Sequence, residues 1–205
     1  MIARTLPAGT TLRSLVEALI PEDHAAHVPA DAGEAKVGFR FAGGPCYRLE
    51  ASGSRLTVTE TPRIEGAPLL LSVDEATAQL FLDDWLGPQK LAPSFEPRGL
   101  GSITDARFLR RVSAVKGVIL LTLDDLEGKA ASLLVASGPD ASVYDDPDVT
   151  LHIKLPAFLK VLAGTLPPDE AISGGHVTIT GKKLVAMQFA LALVPYFPAR
   201  PPGRQ

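Results

Sequence analysis

Gly175 and Gly181 bracket a strand-like segment that runs into Lys182-Lys183, a make-up that invites a phosphate-binding loop. Five residues separate the glycines where such a loop needs four, and Lys183 stands where a Ser or Thr would hold magnesium. That chemistry is excluded. Ser113-Ala114-Val115-Lys116 has the spacing at which a lysine activates a serine nucleophile. Without the companion motifs it reads as a helix end with a solvated lysine, and no Gly-x-Ser-x-Gly elbow occurs. His24 and His27, beside Glu22 and Asp23, offer two imidazoles, whereas zinc takes three or four protein ligands; a solvated, Pro-flanked loop is expected there. Of the acidic pairs Asp83-Asp84, Asp124-Asp125 and Asp145-Asp146, two fall at turns, where aspartate bonds the backbone, and none sits in a calcium-binding loop. His152 and His176 fall on strands, opposite Ile153 and Val177, and read as satisfied or solvent-facing. Cys46 follows the turn Gly43-Gly44-Pro45 as a free structural thiol. No catalytic residue, metal site or cofactor is expected.

The apolar residues carry more information. The chain has 205 residues, 46% hydrophobic but 6% aromatic, and a mean hydropathy of +0.17. The longest nearly apolar run, Leu184 to Phe197, holds 14 residues including Gln188 and Pro195. A spanning helix needs roughly 20, so stable membrane insertion is not expected. The first 20 residues carry Arg4 and Arg13 without an uninterrupted apolar core, unlike a secretory leader. A single cysteine favours a reducing, cytoplasmic setting. The net charge of −3, with both signs intermixed, leaves no basic footprint for nucleic acid.

The elements that would position these residues come in two series. Val37 to Phe41, Tyr47 to Ala51 and Leu56 to Thr59 alternate apolar with polar or small residues and are joined by Gly and Ser turns, an antiparallel meander. A fourth strand, Leu69 to Val73, leads to a helix, with Ser72 and Glu75 spaced as a capping box. Ala78, Phe81, Leu82 and Trp85 form its stripe, and Gly87-Pro88 ends it. The second series starts with a helix over Thr104 to Val115, then strands at Val118 to Leu123, Ser132 to Ala136, Ser142 to Tyr144 and Val149 to Leu155. A helix with Leu155, Phe158, Leu159 and Leu162 follows. Leu49-Glu50-Ala51-Ser52-Gly53 and Leu134-Val135-Ala136-Ser137-Gly138 hold corresponding places, which suggests a tandem, partly degenerate duplication; two unrelated α+β halves are the alternative. Only the second half continues, through a helical turn at Pro167 to Ala171, the strand Val177 to Thr180, and a helix from Lys182 to Val194. That last helix is apolar nearly all round and needs cover on every side: sheet, partner chain, the other half, or an apolar ligand.

The succession Val149-Thr150-Leu151-His152-Ile153, Phe158 to Gly164, Thr165 to Ala171, and Gly175 to Gly181 before a final helix resembles the C-terminal part of the sterol carrier protein 2 (SCP2-like) lipid-binding domain. Residues 104–197 follow the family's element order, and Phe39 to Gly87 looks like its opening strands and first long helix. The first half lacks the glycine-bounded strand and apolar final helix, and Lys182-Lys183 stands where the family often has an acidic or amide residue. The resemblance implies an α+β fold: a twisted, mainly antiparallel sheet with helices on one face, in two related halves. It implies an incomplete SCP2-like half at 1–100, a lipid-binding half at 101–197 and a Pro-rich tail at 198–205. The implied partner is a small hydrophobic ligand (fatty acid, acyl-CoA, sterol or similar lipid) in an apolar tunnel. The tunnel candidates are Leu151, Ile153, Phe158, Leu162, Val177, Ile179, Leu184, Met187 and Leu191, with Gln188 as a polar contact and Lys182 and Lys183 near a head group. More than half of the apolar candidates are expected to be plain core. Two alternatives stay open: an interaction or homodimerisation module without a cavity, and an enzyme using the same cavity through His152, His176 or Ser113.

Overall fold

The computed structural model describes residues 34–41, 45–52, 55–74, 77, 105–126, 129–162 and 165–193. The expected helix after Val73 with its Ala78–Trp85 stripe, the histidines at 24 and 27, Asp83-Asp84 and the Pro-rich tail lie outside the described residues. Eight strands form one sheet: β1 (Glu34–Phe41), β2 (Cys46–Ser52), β3 (Arg55–Thr61), β4 (Leu69–Val73), β5 (Gly117–Leu126), β6 (Lys129–Ser137), β7 (Val149–Lys154) and β8 (Val177–Gly181). Their order across the sheet is β3-β2-β1-β4-β6-β5-β7-β8. All neighbours are antiparallel except β1 with β4 and β5 with β7. The helices are α1 (Ala106–Ser113), α2 (Leu155–Leu162), α3 (Pro168–Ser173) and α4 (Lys183–Leu193). The α+β architecture with a mainly antiparallel sheet is the expected one.

Period-2 patterning sets the two faces of this sheet. Ala35, Val37, Phe39 and Phe41 of β1 and Tyr47, Leu49 and Ala51 of β2 bury themselves against Phe108, Leu109 and Val112 of α1. On the same face, α4 covers Ile119 and Val149, and α2 covers Leu123, Ala131 and Ile153. The opposite face has its own smaller cluster, in which Ile64 and Ala67 close over Leu70, Val118 and Ala136. Gly38 permits that closure: a Cβ there would stand 2.6 Å from Ile64 Cγ2.

Three local expectations need correcting. Ser142 to Tyr144 is no strand but a 3-10 turn, Ala141–Val143. Asp140 Oδ1 accepts from both the backbone N–H and the hydroxyl of Ser142, so the aspartate winds the chain into a cap that alternation alone does not reveal. Ser72 is not a capping residue either. It belongs to β4, where pairing with Arg40 keeps it extended, and its Oγ accepts from Arg40 Nε at 3.1 Å. Two residues on, Asp74 Oδ1 accepts from Thr77 N at 2.6 Å. Strand β5 also runs on through Asp124 to Leu126, residues expected in a turn.

Connectivity recurs along the chain. β1 pairs antiparallel with β2 and parallel with β4; β5 pairs antiparallel with β6 and parallel with β7. The five-residue likeness between the series is out of phase, however. Leu49 and Ala51 face the helices, whereas Leu134 and Ala136 face the other side.

Candidate functional site

The residues singled out for catalysis stand at separate places in the fold: Ser113 at the end of α1, His152 on β7 and His176 in the turn before β8. Ser113 Oγ donates to Arg110 O at 3.0 Å, at the end of α1. The N–H groups of Gly174, Gly175 and His176 are spent on the carbonyls of Glu170, Ile172 and Ala171, so the turn into β8 holds no free cradle for phosphate. His152 Nδ1 lies 3.9 Å from Asp124 Oδ2, both side chains well exposed on the face away from the helices. Asp145 pairs with Arg40 at 2.9 Å. Among the described residues no group of three or more His, Cys, Asp or Glu comes together.

The apolar candidates divide by position. Leu151 on β7 and Ile179 on β8 are register partners, and both are half-buried beneath α4, beside Val185 and Phe189. Ile153 and Val177 are partners one step along. Ile153 is buried and Val177 half-buried beneath α2, beside Phe158 and Leu166. These four side chains make a continuous apolar floor over β7 and β8, with α2 above one end and α4 above the other. Leu162 ends α2, and its side chain lies outside what the structure describes.

The candidates on α4 fall elsewhere. Val185, Ala186, Phe189, Ala192 and Leu193 are the side chains that meet the sheet and α1. Leu184, Met187 and Leu191 point outward, with relative exposures of 66%, 54% and 67%, and Gln188 is exposed with them. A helix apolar all round carries no phase from which to read its buried side, so the sequence grouped these four with the floor residues. Their partners could not have been separated without the register of β7 and β8.

One polar staple ties the residue entering α4 to the start of β7, and sequence reasoning missed it. Asp148, just before β7, accepts from Val118 N through Oδ2 at 3.0 Å and from Lys182 Nζ through Oδ1 at 2.6 Å. Its own carbonyl accepts from Lys182 N at 2.8 Å. The Lys182 hydrogen bond, and then that of Val118, holds the Asp148 carboxyl below the usual range. Gly181, at φ +98°, brings its backbone so near that a Cβ would meet Asp148 O at 2.6 Å. The signal was the acidic residue before one strand and the Gly-Lys after the next, legible only once the two strands are paired. Lys182, a candidate for a ligand head group, is thus already engaged by Asp148.

Comparison with known proteins bears on the second half. The SCP-2 sterol transfer family matches residues 104–194. Among solved structures, the chain is similar to sterol carrier protein 2 from Yarrowia lipolytica in its apo form, with 16% identity, a TM-score of 0.35, and coverage of 45% of this chain and 78% of that one. It is similar to palmitated SCP2L2 from Aedes aegypti, with 21% identity, a TM-score of 0.32, and coverage of 42% and 91%. For the sterol carrier protein domain 2 of Helicoverpa armigera the values are 17%, 0.35, 49% and 80%. No curated protein matches the chain. The part of this chain that matches the SCP-2 sterol transfer family is residues 104–194, which hold α1, the four strands β5 to β8, and α2 to α4.

Proposed function

We propose that the protein is a non-catalytic carrier that binds a hydrophobic ligand, of the fatty acid, acyl-CoA or sterol class, on the floor formed by Leu151, Ile153, Val177 and Ile179, with Phe158 as its wall. The observation that carries this reading is that three of those four apolar side chains stay half-buried beneath α2 and α4, within the residues that match a sterol transfer family. Apolar contact would supply most of the affinity, and with few polar contacts the floor would accept a range of chains. A cytoplasmic setting, suggested by the single cysteine, suits such a carrier. The first half, in this reading, is a degenerate copy kept as scaffold: β1, β2 and β4 repeat the pairing of β5, β6 and β7.

Protein purified without detergent should release lipid to organic extraction and mass spectrometry, and should bind a fluorescent fatty acid. Ile179→Trp, which fills the floor from a half-buried position, should weaken that binding at least tenfold while circular dichroism stays unchanged. An empty extract and no fatty-acid binding by the unaltered protein would remove the carrier reading.

A further inference from the structure

Three of the four large apolar side chains that stand exposed among the described residues lie on α4: Leu184, Met187 and Leu191. Their spacing of three and four residues puts them in one row, opposite the row that meets the sheet. Lys183 belongs to the outward row, four residues before Met187, and is exposed. Lys182 precedes it, its side chain 72% exposed despite the bond to Asp148. No acidic residue occurs anywhere in α4.

A second copy of the chain is a poor occupant for this row. A helix of 11 residues offers a strip of about 16 by 10 Å, far below the roughly 800 Å² per partner that a stable complex buries. A bilayer surface asks for no such complementary area. It accepts a short row of Leu and Met into the boundary between head groups and chains, and anionic head groups favour lysines beside the row. The helix is also too short to cross, and no described helix is long and apolar enough to do so.

We propose that the outward face of α4 is a reversible docking surface for an anionic membrane, with Leu184, Met187 and Leu191 entering the interface and Lys183 contacting head groups. The proposal deepens the carrier reading and rests on it for its purpose: α4 covers one end of the apolar floor, so docking brings that floor to the source of its ligand.

The test uses the full chain with two vesicle compositions, phosphatidylcholine alone and phosphatidylcholine with phosphatidylserine, read by co-sedimentation. Fatty-acid binding is measured separately without vesicles. The expected result is association with the anionic vesicles that falls at least tenfold in Leu184→Ser/Leu191→Ser, and severalfold in Lys183→Glu, with fatty-acid binding unchanged in both variants. No association of the unaltered protein with either vesicle, alongside intact fatty-acid binding, overturns the docking surface and spares the carrier reading. Association without any fatty-acid binding keeps the surface and removes the carrier. Loss of fatty-acid binding in the serine variant, or a dimer in sedimentation that the serine variant abolishes, assigns the row to the ligand or to a second copy and overturns the proposal.

Discussion

At Asp148 two interactions meet, and their magnitudes differ. The bond to Val118 N satisfies a backbone donor at the start of β5 with a charged acceptor, worth about 1.5–3 kcal/mol. The pair with Lys182 is exposed on the lysine side and worth at most about 1 kcal/mol. Asp148→Ala should therefore cost about 2 kcal/mol in urea unfolding, and Lys182→Met well under half of that. Because the folded carboxyl titrates below its unfolded value, its contribution is complete above a pH of about 4 and is lost as pH falls through the lower folded pKa. The gap between wild type and Asp148→Ala should close over that acidic window and stay constant from pH 5 to 7; a gap that persists undiminished at pH 2 would show that the charge is not its source. Gly181→Ala at φ +98° meets both backbone strain and the Asp148 carbonyl, and should cost at least about 2 kcal/mol in the same assay.

Among the elements, α4 gives the sharpest contrast. Phe189 links the cluster beneath α1 to the one over β5 and β7, so Phe189→Ala should destabilise by about 2 kcal/mol or more. Leu191→Ala, on the outward row, should stay within about 0.5 kcal/mol of wild type. Equal costs for the two, measured by thermal unfolding, would mean that α4 is covered on both sides. The same helix shows how far the sequence could be read. Alternating segments such as Tyr47 to Ala51 fall within one residue of the observed strand, Cys46–Ser52, because period 2 encodes a face directly. The residues Lys183 to Leu193 encode a helix but not its orientation, since nearly every position is apolar. The helix-facing side of β7 and β8 is accordingly legible from alternation, whereas alternation says nothing of which side of α4 holds Leu184, Met187 and Leu191, the side that stands exposed. Asp140 escaped for a different reason: it winds Ala141–Val143 through local bonds to Ser142, which alternation does not encode.

For the whole molecule, the joint is β4. It runs parallel to β1 and antiparallel to β6, so a strand outside residues 104–194 completes the sheet that those residues begin. The local match between Leu49 to Gly53 and Leu134 to Gly138 gave no hint of this, because a shift of one residue in phase turns every side chain to the other face. Without β4, the backbone of β6 from Leu133 to Ser137 would keep its pairing with β5 but lose its partners on the other side. The cluster around Val118 and Ala136 would also lose Ile64, Ala67 and Leu70, all of them buried. An open edge above uncovered apolar side chains is a template for association. A fragment of residues 104–197 should therefore self-associate in sedimentation velocity and show weakened near-ultraviolet dichroism. A longer fragment starting at residue 62 regains β4 together with the segment that closes over Val118, and should return toward the monomer. Should the shorter fragment be monomeric, with an unfolding free energy within about 1 kcal/mol of the full chain, β4 is dispensable, and the second half carries a sheet sufficient in itself.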